Sequence, residues 1–136
     1  MLDKRKFYIN GKWVSPSKPR DFEVINPSTE EAFATISLGS KDDTNIAVHA
    51  AKQALVTWSE SSKEERINLL EKLLNIYKKR YSEMVEAISM EMGAPIDWSR
   101  DSQTSSGQSH LEDFIVRLKE FKFDEQFSPG SNNRIC

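Results

Sequence analysis

The chain of 136 residues is 38% hydrophobic and 29% charged, with a formal net charge of −2. Its length is that of one ordinary domain and is sufficient to bury a hydrophobic core. The near-neutral charge provides no basic surface for nucleic acid, and no apolar run reaches the roughly 20 residues that would span a membrane, so neither is an expected partner. A single cysteine, Cys136, excludes an internal disulfide, and the N-terminus lacks the apolar segment of a secretory signal, which together predict a reduced, cytoplasmic setting.

The first part of the chain predicts two β-hairpins. Asn10-Gly11 separates the β-prone runs 7–9 and 12–14, and this dipeptide suits a type I′ turn because both central residues need positive φ. Alternating apolar and polar residues predict two further strands, 22–24 and 31–36, joined by a Pro-containing turn. Because two-stranded hairpins are marginal alone, we expect both to pack on another element.

Capping boxes mark the starts of two helices. In each box a serine hydroxyl can accept from the amide three residues on while a carboxylate reaches back, as at Ser40 with Asp43 and at Ser62 with Glu65. The second helix is the clearest in the chain because its apolar residues form one continuous stripe. The stripe consists of Ile67, Leu70, Leu74, Tyr77, Tyr81, Val85 and Ile88. Gly93 suits the position just past the end of this helix.

A third helix is predicted from Pro95, which suits a first helical turn, to about Leu118. Its passage 99–109 is dominated by Ser, Thr and Gln, and on composition alone it could be a loop. The helical spacing of apolar residues on both sides favours a helix. Small polar residues in a helix suit either close backbone packing or a cleft that needs hydrogen-bonding side chains.

The last part of the chain is less regular. Phe121, Phe123 and Phe127 alternate with polar residues, which predicts a strand or an extended tail. Residues 128–136 are rich in turn formers and predict a flexible terminus. The chain therefore divides into residues 1–127, which carry all predicted elements, and residues 128–136.

The residues themselves assemble no recognisable catalytic constellation, and no glycine-rich phosphate-binding motif is present. His49 and His110 are more simply solvated or packed imidazoles than metal ligands or catalytic bases. The Cys136 thiol would need an activating base or helix N-terminus, which the sequence does not supply. Asp97 and Asp101 share a helix face, where surface charges near a helix N-terminus are a simpler account than an acid–base pair. We therefore name no catalytic, cofactor-binding or metal-ligating residue.

Five passages nevertheless form a collinear pattern. They are Phe-Tyr-Ile-Asn-Gly-Lys-Trp at 7–13, Val-Ile-Asn-Pro-Ser-Thr-Glu-Glu at 24–31, Ala-Val-His-Ala-Ala-Lys-Gln-Ala-Leu-Val-Thr-Trp at 47–58, the helix at 66–74, and Glu-Met-Gly-Ala-Pro at 91–95. In order and spacing they resemble the N-terminal part of the aldehyde dehydrogenase superfamily. The resemblance covers nearly the whole chain, and it implies an α/β parent fold in which residues 1–127 are an incomplete part of the NAD(P)-binding domain.

The resemblance implies an enzyme that oxidises an aldehyde to a carboxylate with NAD or NADP. In the family a thiolate attacks the aldehyde, hydride passes to the cofactor, and water hydrolyses the thioester. The Pro-Trp-Asn cofactor loop, the Glu-Leu-Gly-Gly-Lys stretch of the general base and the Gly-Gln-x-Cys stretch of the nucleophile have no counterpart in this chain. Neither Cys136 nor Glu91 lies in those motifs, so we expect no bound cofactor and no activity from these 136 residues alone.

Two local expectations also come from the resemblance. Residues 99–110 correspond to the helix that contributes to the substrate entrance in the family. Some members bind a monovalent cation near the Asn-Pro turn, where Ile25 matches the carbonyl ligand, but an ungapped alignment puts Gln103 at the position of the aspartate ligand.

Two hypotheses follow from the sequence. In the first, the chain is the N-terminal portion of an aldehyde dehydrogenase, whose partners are the remainder of the parent chain, an aldehyde and further copies in a homo-oligomer. In the second, it is a standalone helical binding or assembly module derived from that fold, which would apply its apolar helix stripe to a partner.

Overall fold

In the computed structural model, which describes residues 1–124, five strands form two separate sheets. The strands are β1 (Leu2–Lys4), β2 (Phe7–Ile9), β3 (Lys12–Val14), β4 (Asp21–Asn26) and β5 (Glu31–Ser37). Strands β2 and β3 form the first predicted hairpin, and Asn10 and Gly11 between them have φ values of 51° and 73°. Strands β4 and β5 form the second predicted hairpin, with a register shift between Val24 and Ile25.

The sequence prediction missed β1. This strand pairs parallel with β5, from Leu2 opposite Ala34 to Lys4 opposite Ile36. Its three residues are all exposed, so they show no alternation from which a strand could be predicted. With β1 in place, β5 becomes the central strand of a sheet ordered β1-β5-β4, and Ala34 is buried.

The helical part follows the predicted order with two differences. Its elements are α1 (Lys41–Trp58), α2 (Lys63–Lys79), α3 (Tyr81–Met92), α4 (Ile96–Trp98), a π segment (Ser99–Thr104) and α5 (Ser105–Glu120). Both predicted capping boxes form, and Gly93 ends α3 with a φ of 71°. The predicted second helix is divided, because Arg80 leaves helical geometry with φ −103° and ψ 17°. The predicted third helix contains π geometry where its sequence is most polar.

The helices pack around a small core. Helix α2 lies against α5, and α3 lies against the π segment and β4. Val85 and Ile115 are buried there, and the rest of the predicted apolar stripe is half-buried. Helix α1 lies against β2, and the Trp58 ring at its C-terminal end lies beside the Arg66 guanidinium of α2, while its Leu55 and Val56 side chains are exposed. The described residues therefore leave a large part of their apolar surface uncovered.

The chain beyond α5 is only partly described. Phe121 has extended backbone, with φ −65° and ψ 131°, and its ring meets that of Phe123 edge to face at 4.9 Å. Phe127 and the predicted terminus 128–136 lie outside the described residues.

Candidate functional site

The polar passage between α4 and α5 adopts π geometry from Ser99 to Thr104. In a π turn the backbone N–H reaches five residues back, and such turns occur mostly as single insertions in α-helices, often at functional sites. Where the ladder returns to the α pattern in α5, it skips a carbonyl, which then needs another donor. The π segment is therefore a place where side chains must complete the backbone hydrogen bonding.

Side-chain hydroxyls supply these donors. Tyr77 of α2 donates to the Thr104 carbonyl at 2.9 Å, and Tyr81 of α3 donates to the Arg100 carbonyl at 2.6 Å. Ser105 donates to the Asp101 carbonyl at 2.7 Å. The Ser102 carbonyl accepts at 2.7 Å from the Ser106 hydroxyl and at 3.1 Å from Ser105. Hydroxyl groups thus bind four of the carbonyls of the π segment.

Tyr77 reaches the π segment because Gly107 has no side chain. A Cβ atom placed on Gly107 would lie 2.5 Å from the Tyr77 hydroxyl oxygen and 3.1 Å from Cζ. Burial raises the pKa of the Tyr77 hydroxyl, and the neighbouring Tyr81 raises it further, so the group stays protonated and able to donate. An isolated glycine inside a helical pattern often marks such close packing, and Gly107 was the one sequence signal for this contact.

The two faces of the π segment differ. Ser99 and Thr104 are fully buried against the neighbouring helices, and neither hydroxyl has a hydrogen-bond partner among the described residues. Arg100 and Asp101 are exposed, as are Ser106, Ser109 and His110 in α5. The small polar residues therefore serve close backbone packing on the inner face, while the outer face is free to meet another part of a protein or a small molecule.

The structure places the other candidate groups apart from one another. Asp97 forms an ion pair with Arg100 at 2.6 Å and Asp101 is exposed, so the two carboxylates belong to a charged surface. His49 is exposed on α1 and His110 is exposed on α5. Cys136 lies outside the described residues. Within residues 1–124 no group of three His, Cys, Asp or Glu side chains could hold a metal ion.

Two of the collinear passages are in contact. The Asn26-Pro27 turn lies against the junction at Gly93, where an added Cβ would be 3.1 Å from the Pro27 Cβ. Ile25 precedes this turn in β4, and Gln103 lies half-buried in the π segment. We assign no cation to these two positions, because Gln103 stands where the resemblance places the aspartate ligand.

No helix in the described part of the chain has the length and apolar character needed to cross a membrane. The described residues form two hairpins, a parallel edge strand and a set of helices. Two tyrosines of these helices hydrogen-bond to carbonyls of the π segment. A family model described as the aldehyde dehydrogenase family matches residues 13–135, and the chain belongs to this family.

Individual relatives agree with the family match. The chain is 39% identical over 126 residues to 3-succinoylsemialdehyde-pyridine dehydrogenase of a Pseudomonas species, covering 92% of this chain and 26% of the relative. A crystal structure of an aldehyde dehydrogenase from Bartonella henselae matches with 55% identity and a TM-score of 0.93, covering 97% of this chain and 28% of that one.

A second solved structure is that of a mutant of aldehyde dehydrogenase C from Pseudomonas syringae, in complex with NAD+ and octanal. It matches with 35% identity and a TM-score of 0.89, covering 91% of this chain and 26% of that chain. The chain spans about a quarter of the length of these relatives. The two solved structures, from Bartonella henselae and Pseudomonas syringae, confirm the predicted aldehyde dehydrogenase-like fold.

Proposed function

We propose that this chain is the N-terminal portion of an NAD(P)-dependent aldehyde dehydrogenase that oxidises an aldehyde to a carboxylate. The observation that carries the proposal is the match to the Bartonella henselae enzyme, which combines 55% identity with a TM-score of 0.93. The Pseudomonas syringae relative was crystallised with NAD+ and an aldehyde, which supports the same class of cofactor and substrate here. Residues 1–127 form an incomplete part of the NAD(P)-binding domain in this proposal.

The N-termini of α1 and α2 do not fit a dinucleotide-binding role. A dinucleotide pyrophosphate binds best at a helix N-terminus that offers free amides and a positive dipole end. In α1 and α2 the carboxylates of Asp43 and Glu65 already occupy those ends, and they would repel a phosphate. When bound in the parent enzyme, NAD(P) supplies the hydride acceptor, and residues beyond this segment would hold it. The chain itself contributes scaffold and surface.

We assign the outer face of residues 99–110 to the substrate entrance of the parent enzyme. The resemblance to the family suggested this position, and the exposed side chains of the π segment and α5 are compatible with it. This face contains small and polar side chains, which suits a wet entrance. A homo-oligomer in the cytoplasm is the assembly and location that we propose for the parent.

Expression of the gene's complete reading frame beside the 136-residue chain tests the proposal. Formation of reduced nicotinamide is measured with NAD or NADP and a series of aldehydes. We expect turnover by the complete product and none by the 136-residue chain, because the latter lacks a nucleophile and general base in the family's motifs. A complete product without aldehyde oxidation would contradict the proposed activity, and turnover by the short chain would contradict its expected inactivity.

A further inference from the structure

Two carbonyls of the π segment accept hydrogen bonds from side chains of other helices. Its carbonyls at Arg100 and Thr104 accept from the hydroxyls of Tyr81 and Tyr77, which lie on two other helices. The two tyrosine rings also meet edge to face, with centroids 6.3 Å apart. Two neighbouring tyrosines thus hydrogen-bond to the segment near both of its ends.

The geometry of this segment affects how the residues after it are rotated about the helix axis. A π insertion changes the rotation of the following residues about the helix axis, so the residues after Thr104 point in directions that a continuous α-helix would not give them. The buried Ser99 and Thr104 fix which side of the segment faces inward. The directions of Ser106 and His110 on the outer face then depend on the π geometry persisting.

We propose that Tyr77 and Tyr81 are positioning residues for substrate binding: their hydroxyls hold the π segment so that the outer face of residues 99–110 has the shape that receives the aldehyde. The inference rests on the proposed function, because it takes this face as part of the substrate entrance. Neither tyrosine touches the substrate. Each acts through the backbone carbonyl that it binds.

The test uses the complete enzyme with Tyr77→Phe, Tyr81→Phe and the double variant. Phenylalanine keeps the ring and removes only the hydroxyl, so the fold is expected to survive. Tyr8→Phe is the matched control, because Tyr8 is an exposed tyrosine whose ring meets that of Trp13 edge to face in the β2–β3 hairpin, away from the π segment. Steady-state kinetics over aliphatic aldehydes of increasing length is combined with hydrogen exchange of the amides in residues 99–110.

The expected result is a split between KM and kcat. Loss of one such hydrogen bond should raise KM for the longer aldehydes by roughly threefold to tenfold, with kcat and the KM for the nicotinamide cofactor unchanged. Amide exchange in residues 99–110 should be faster in both tyrosine variants and unchanged in the Tyr8→Phe control. Gly107→Ala should reproduce the Tyr77→Phe pattern, because its Cβ would displace the Tyr77 hydroxyl.

Three results would overturn the inference. The first is unchanged KM values in the double variant, and the second is an equal loss of activity on every aldehyde, which indicates a merely structural role. The third is unchanged amide exchange in residues 99–110. A wild-type enzyme that oxidises no aldehyde would refute the proposed function itself, and the exchange data would still show whether the tyrosines hold the segment.

Discussion

Pro27 and Gly93 are in direct contact, although 65 residues lie between them in the sequence. A Cβ atom on Gly93 would lie 3.1 Å from Cβ and 3.2 Å from Cγ of Pro27. Gly93 also has a φ of 71°, in the left-handed region. Glycine at this position therefore satisfies two demands at once, one from the end of α3 and one from the turn after β4.

Gly93→Ala should lower stability through both of these demands. A side chain at positive φ costs about 1–2 kcal/mol, and the contact with Pro27 adds to this cost. Gly11→Ala is the matched control, because Gly11 has a similar φ of 73° and no atom within 4 Å of an added Cβ. Thermal unfolding of the complete protein should show a larger decrease in Tm for Gly93→Ala than for Gly11→Ala. Equal decreases would mean that the contact with Pro27 contributes nothing.

Asp43 should make the N-terminal region sensitive to acid. Its carboxylate accepts from the Ser40 hydroxyl at 2.7 Å and from the amides of Ser17 and Ser40 at 2.8 Å, and these bonds hold the pKa well below the ordinary value of 3.8. Because the folded-state pKa is the lower one, the stabilisation is present above about pH 3.8 and is lost as the pH falls through the folded-state pKa.

Asp43→Asn should therefore unfold at a lower temperature than the wild type at neutral pH, and the difference should shrink below about pH 4. Asp42→Asn is the matched control on the same helical turn, since Asp42 is exposed and forms a 3.6 Å ion pair with Lys18. The measurement is the unfolding temperature as a function of pH. A difference between Asp43→Asn and wild type that is independent of pH would exclude the carboxylate as its cause.

Lys63 should stabilise the end of α5. Its ammonium group donates to the carbonyls of Lys119 at 2.9 Å and Phe121 at 3.2 Å, where the helix leaves acceptors without amide partners. Lys63→Met keeps the aliphatic stem and should cost about 0.5–1 kcal/mol, less at high salt. Lys72→Met, on the exposed face of the same helix, should cost less. Urea unfolding at two salt concentrations measures both, and a Lys63→Met effect no larger than that of Lys72→Met would contradict the prediction.

The 136-residue chain in isolation should bind a dye that reports exposed apolar surface. An open groove of about 450 Å³ is lined by the rings and aliphatic side chains around α2 and α5. Its apolar residues are Trp58, Leu69, Leu70, Phe114, Leu118, Phe121 and Phe123. We expect strong fluorescence of anilinonaphthalene sulfonate with the short chain and weak fluorescence with the complete product. Weak binding accompanied by one cooperative unfolding transition would favour the alternative of a self-sufficient module.

Local sequence chemistry determined most of the elements. The Asn10-Gly11 turn, both capping boxes and the end of α3 at Gly93 are set by neighbouring residues, so each was predictable from its own short stretch. The same local patterns, taken in order, were sufficient to recognise the family. The break at Arg80 has no such signature, because Lys78, Lys79 and Arg80 are good helix formers and no glycine or proline lies nearby.

What only the tertiary structure decided involves residues far apart in the sequence. Strand β1 exists because β5 offers it backbone partners, and its own three residues carry no pattern. The polar passage after Trp98 is helical with π geometry, Tyr77 and Tyr81 donate to two of its carbonyls, and Gly107 leaves room for Tyr77 to approach. Helix propensity within the passage could not reveal donors supplied from two other helices, which is why composition alone left loop and helix both open.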